Sequence, residues 1–184
     1  MTARRIALPA AALGLASAIA SCSSVPPDAR IGVLAPDGSE TAFGPVGDFL
    51  GHRCGTLDCH GQMGRNLRIW SCDGMRLSDA DVSGCGLSGS FTTPDEHQAT
   101  YRSLVGLEPT VMSVVVQGHG AQPEFLTFVR KARGLEAHVG GQLIEPGDDQ
   151  DTCITSWLSG STDSMACSKA ILMPMFPAPD ASTE

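Results

Sequence analysis

The stretch RCGTLDCHG, Arg53 to Gly61, sets two thiols, Cys54 and Cys59, with four residues between them and places His60 directly after the second. Three readings are open on these residues. They could be a small disulfide turn, half of a metal site completed by a distant histidine, or a loop offering two thiols and one imidazole to a single bound group. The flanks constrain the choice. In front, GPVGDFLGHRCGTLDC puts Val46, Phe49, Leu50 and Cys54 on one helical face, so a helix delivers the chain into the loop. Behind, residues 64–91 are rich in Gly and Ser with no sustained period and predict a long loop.

Further out the pattern is helical. Thr93-Pro94-Asp95-Glu96 is a capping box, with Thr as N-cap, Pro at the first helical position and Glu reaching back, and its helix stops before Pro109. The run TVMSVVVQG fits either a strand or a buried helix. PEFLTFVRKARG has acid in its first turn, base in its last and Gly134 just beyond, as a helix requires. In DDQDTCITSWLSG, Asp148 caps a helix whose face is Ile154, Trp157 and Leu158. His97 reads as surface in the first turn of its helix, and Trp157 as core.

The N-terminus carries Arg4 and Arg5, then an apolar run from Ile6 to Ala20 that is short for a membrane span. Ile19-Ala20-Ser21-Cys22 resembles a bacterial lipobox, which implies cleavage of a signal peptide, residues 1–21, and lipid on the Cys22 thiol. Ser23, where an Asp would mark inner-membrane retention, implies the outer membrane; the expected place is the cell envelope, on the outer membrane or facing the periplasm. Residues 22–40 predict a flexible tether, 41–165 one domain, and 166–184 a Pro-rich tail. Cleavage would leave 163 residues with 10 Lys+Arg against 20 Asp+Glu, a net charge of −10. That balance excludes nucleic acid as an expected partner and suits a partner with a basic patch.

Seven cysteines in an exported chain are expected to pair. Lipid on Cys22 removes the odd one. If Cys54 and Cys59 serve a bound group, the rest form two local pairs, Cys72–Cys85 and Cys153–Cys167. Each would close a loop of about 15 residues, contributing ~3 kcal/mol. The count also closes with a third disulfide, Cys54–Cys59.

C-x-x-C-H is the attachment signal of covalent haem, and the C-x4-C-H of Cys54, Cys59 and His60 resembles a rarer variant of it found in multihaem c-type cytochromes. Downstream, Lys131-Ala132-Arg133-Gly134, then His138-x-Gly140-Gly141, then a helix ending in Trp157-Leu158 resembles the C-terminal half of class I c-type cytochrome domains whose second ligand is His. The resemblance covers about residues 44–62 and 122–160. It implies a small, mainly α, cytochrome c-like domain with long disulfide-stapled loops, and one haem c held through thioethers at Cys54 and Cys59. His60 would be the proximal iron ligand and His138 the distal one, with His119 as runner-up and Met173 and Met175 as minor candidates. Arg65 and Arg68 are candidate propionate contacts, and His52 stands near the same edge. Two axial histidines leave no open iron face, which implies a non-catalytic electron carrier rather than an enzyme. Two other classes stay open: a cofactor-free, disulfide-stapled envelope lipoprotein with a binding or structural role, and a zinc site built on Cys54, Cys59, His60 and a distant histidine.

Overall fold

The computed structural model describes residues 32–78 and 92–173. The expected signal peptide, Cys22, Cys85, Met175 and the tail from 174 onward lie outside the described residues. Among the described residues there are six α-helices and no strand: α1 Glu40–Cys54, α2 Pro94–Leu107, α3 Pro109–Gln117, α4 Thr127–Ala132, α5 Asp149–Leu158 and α6 Ser164–Leu172. The mainly α expectation holds. No described helix is long and apolar enough to cross a membrane.

Local chemistry sets the helix ends. The capping box of α2 closes as its sequence predicts: Glu96 N–H donates to Thr93 Oγ1 (3.3 Å) and Thr93 N–H to Glu96 Oε2 (2.9 Å). Asp148 caps α5 by accepting from Asp151 N–H at 2.6 Å. The ambiguous run 109–117 is helical; Pro109 starts it and Met112 and Val115, three apart, face the core. The helix expected from Pro123 is instead broken into a 3-10 turn, Pro123–Phe125, and α4. Leu126 extends between them and is buried. Glu108 accepts from both Thr127 N–H (2.7 Å) and Thr127 Oγ1–H (2.8 Å), so a new helix starts there.

The folded part is longer at both ends than the sequence predicts. Residues expected in the tether are fastened to it: Pro36 O accepts from Tyr101 Oη (2.9 Å), Asp37 O from Trp157 Nε1 (2.9 Å), and Leu34 N–H donates to Ser113 Oγ (2.9 Å). The expected tail, drawn from 166, overlaps α6, which buries Ala166, Cys167 and Ala170 and is bonded to α5 through the Cys153–Cys167 disulfide. That pairing is the one expected. Cys72 is disulfide-bonded too, and its expected partner Cys85 lies outside the described residues.

The core forms where α1 packs against α2, α5 and α6. Phe43 of α1 lies 5.4 Å, centre to centre, from Tyr101 of α2 and 5.2 Å from Trp157 of α5. Each such aromatic pair contributes about 1 kcal/mol beyond burial. Trp157 is thus a core residue, as its sequence predicts.

His97 is a correction: it is 3% exposed. Its helix face also carries Thr100 and Leu104, both buried, so the ring points at α1. Gly47 makes room, since a Cβ there would come 2.6 Å from the imidazole. The ring lies between two carboxylates, Nδ1 at 2.7 Å from Glu40 Oε1 and Nε2 at 3.1 Å from Asp48 Oδ1. Both nitrogens must donate, so the ring is an imidazolium. Burial lowers its pKa, but the bonds to Asp48 and Glu40 outweigh burial and the net shift is upward. Nearby, Arg76 grips buried Glu96 at 2.6 and 2.8 Å, pinning residues 76–77 to α2.

The raised His97 pKa stabilises the fold fully below its unfolded value of about 6.5, while both carboxylates are ionised, and that stability is lost as pH rises through the folded pKa. We expect the thermal midpoint to fall across this range by the equivalent of about 1 kcal/mol, the carboxylates being half in water. His97→Gln should flatten the profile; an unchanged slope in that variant would contradict the assignment. Separately, Cys153→Ser, which opens the disulfide, should cost ~3 kcal/mol by urea denaturation.

Candidate functional site

The helix α1 ends where the two-thiol loop begins. Gly55 N–H donates to Gly51 O (3.0 Å), Cys59 N–H to Thr56 O (2.9 Å) and His60 N–H to Cys54 O (2.9 Å), which folds residues 54–60 into a compact turn. Gly61 and Gly74 both lie so close to Gly55 O that neither has room for a Cβ. The turn is therefore seated backbone-on-backbone against the 71–75 turn. Ile69 N–H donates to His60 O at 3.0 Å and holds the following segment alongside.

Cys54 and Cys59 are free thiols, so the expected alternative of a Cys54–Cys59 disulfide is not found. The other three described cysteines are disulfide-bonded. Burial pushes the Cys54 thiol up to about 12; Cys59 adds to the rise and the Arg53 charge works against it. Cys54 is therefore a neutral S–H packed at the edge of the core. The zinc reading lacks its ligand set: among the described residues, no three or more His, Cys, Asp or Glu are grouped to hold a metal ion.

The informative pair is His60 and His138, 78 residues apart in the chain. Their rings are nearly parallel, at 16°, with centres 6.0 Å apart. His60 Nδ1 lies 3.1 Å from Leu67 O, and His138 Nδ1 lies 3.4 Å from Gly141 O. A carbonyl only accepts, so each Nδ1 carries the proton in these bonds and the lone pair of a neutral ring is on Nε2. Burial lowers the His60 pKa, and His138 and Arg65 lower it further against the Leu67 bond, which keeps that ring neutral. Nδ1 on a main-chain carbonyl with Nε2 left over is the usual arrangement of a metal-binding histidine.

One side chain joins the two loops. Arg53 continues the buried stripe of α1 and is 6% exposed, yet its Nη2–H reaches across to Leu143 O at 2.9 Å. The 138–144 loop is fixed from its other side as well. Leu143 and Ile144 N–H donate to Ala132 O (2.9 and 3.1 Å), Lys131 Nζ donates to Ala137 O (2.9 Å), and Gly141 N–H donates to His138 O (2.9 Å). Gly141 has φ +70°, which glycine adopts without strain. Both loops also present apolar side chains to solvent: Leu57 and Met63 on one, Leu135 and the fully exposed Val139 on the other. Exposed apolar groups on both loops give this face apolar surface that a bound group could cover.

The other sequence candidates are placed elsewhere. His119 is exposed in the left-handed turn after α3, with φ +52°; the ring that meets His60 is that of His138. Met173 is engaged elsewhere, its Sδ accepting from Gln150 Nε2 on α5 at 3.3 Å. His52 Nδ1 stands 3.4 Å from Asp73. Arg65 turns back on the two-thiol loop, donating to Cys59 O (2.8 Å) and Asp58 O (3.1 Å). Arg68 lies against α2, its N–H on Ser103 Oγ at 2.8 Å. Arg53 was not picked out by the sequence reading, although the signal was present: a charged residue one turn beyond Phe49 and Leu50 continues the core-facing register and must find a partner inside. Comparison of the chain with protein-family models, curated proteins and solved structures finds no match.

Arg53→Leu keeps the bulk of the side chain and removes the tie. It should leave Leu143 O without its donor and lower stability by about 1–3 kcal/mol. Hydrogen exchange should speed up at residues 138–144 more than in α5; a uniform change across the chain would contradict a local tie.

Proposed function

We propose that this chain is a c-type cytochrome, an electron carrier with one covalently bound haem, held by lipid on Cys22 in the cell envelope. The observation that carries the reading is the His60–His138 ring pair beside two free thiols. In this reading Cys54 and Cys59 hold the haem through thioethers, and His60 and His138 are its axial ligands. What supports the fit is two imidazoles brought together with their Nε2 atoms uncommitted, two free thiols in one turn, and exposed apolar side chains on both flanking loops. Haem bound there would supply a reversible one-electron couple.

The chain's own residues do the rest. Leu67 O orients His60, Gly141 O orients His138, and Arg53 keeps the loop of the second ligand tied to the helix bearing the first thiol. Leu57, Met63, Leu135 and Val139 would exclude water. Two histidines on the iron, His60 and His138, would leave no place for a substrate, which favours electron transfer over catalysis and a potential below that of a His/Met pair. The acidic balance of the chain suits a redox partner with a basic patch.

The test is an absorption spectrum of the mature protein from a host with cytochrome c maturation machinery, followed by acid–acetone extraction. A sharp reduced α-band with haem retained on the chain is expected. His138→Ala should convert the spectrum to high spin, and His119→Ala should leave it low spin. A colourless protein, or haem that extracts freely, would overturn the reading and favour a cofactor-free envelope lipoprotein.

A further inference from the structure

Segment 66–70 runs along α2. Its seam is made of three bonds, Arg68 N–H to Ser103 Oγ at 2.8 Å, Trp70 N–H to Thr100 Oγ1 at 3.0 Å and Thr100 Oγ1–H to Trp70 O at 3.4 Å. Beside the seam lies an open groove of about 680 Å³, lined by Asn66, Arg68, Trp70, Ala99, Arg102 and Gly106 among others. That volume is in the range of small-molecule sites. The small residues of α2 leave it open, and a Cβ on Gly106 would meet nothing within 4 Å.

The groove concentrates unspent donors. Arg76, Arg130, Lys131, Arg133 and Lys169 all pair with carboxylates, and Arg53 and Arg65 bond main-chain carbonyls. Among the described residues no carboxylate meets Arg68 or Arg102. Arg68 spends only its Nε, on Arg65 O at 3.3 Å. In a chain with 20 Asp+Glu against 12 Lys+Arg, two arginines without an acid in one groove, beside an indole, suit an anionic partner from outside.

We propose that this groove is a binding site for a small aromatic anion, a phosphate or carboxylate carried on a planar ring. Guanidinium forks take such oxyanions two bonds at a time, and the half-buried indole of Trp70 offers its face to the ring. The site goes beyond the proposed haem function and uses neither its thiols nor its histidines.

The test is titration of the mature chain with 1-naphthyl phosphate, read by calorimetry and by quenching of tryptophan fluorescence, with inorganic phosphate and 1-naphthol as the separate halves. Saturable binding is expected, with each half at least about tenfold weaker, the worth of one good interaction. Arg68→Gln and Arg102→Gln should each weaken binding about tenfold, and Trp70→Phe should remove most of the quenching. Gly106→Leu should block the groove while holding or raising the thermal midpoint, since leucine favours the helix over glycine. His138→Ala should leave the affinity unchanged. No saturation at millimolar probe, affinity indifferent to both arginine variants, or inorganic phosphate binding as tightly as the whole probe would each overturn the proposal.

Discussion

Phe43 touches both Tyr101 and Trp157, so α1, α2 and α5 meet on one ring. The contact fixes one end of α1, and the other end carries Arg53 and Cys54 into the site. Both ends of this helix hold other parts of the fold. Its first turns hold the imidazolium of His97 through Glu40 and Asp48. Its last turn reaches the 138–144 loop through Arg53. Because the aromatic contact and the cross-loop bond lie at opposite ends of a 15-residue helix, one element links the core to the loop bearing His138, and the ring contact with His60 adds to that link.

Several parts of this arrangement were legible in the residues. The capping box at Thr93, the Asp148 cap and the Cys153–Cys167 pairing all depend on neighbours in sequence or on counting, and all are found. The His60–His138 juxtaposition was an expectation drawn from a resemblance, and the rings do come together. What was not legible depends on tertiary partners. His97 looked like a surface residue because its two carboxylates are 57 and 49 positions away. The break at Leu126 needs Glu108, which reaches back from the junction of two other helices. The folded boundaries were misjudged because Pro- and Ser-rich composition signals flexibility only when nothing accepts the backbone. Here Tyr101 and Trp157 donate to Pro36 O and Asp37 O.

The charge economy of the chain separates two kinds of cation. Most are consumed in holding structure, as Arg76 is by Glu96 and Arg133 by Asp151. Arg53 and Arg65 are consumed by main-chain carbonyls, Arg53 in the 138–144 loop and Arg65 in the two-thiol turn. Arg68 and Arg102 meet no carboxylate among the described residues, and Arg68 gives only its Nε to a main-chain carbonyl. Sorting arginines by what they already hold gives a sharper functional signal here than net charge, which is acidic throughout.

The seat of the two-thiol turn has a consequence for how such a chain can evolve. Gly55, Gly61 and Gly74 meet as bare backbone, with no side chain between them to lengthen, shorten or rotate. A contact of that kind admits no graded variants; any substitution at Gly61 or Gly74 displaces the turn as a unit. Adaptation of the site is thereby confined to its rim, to positions such as Leu57, Met63 and Val139, where side chains project outward and can drift without moving the backbone that carries the thiols.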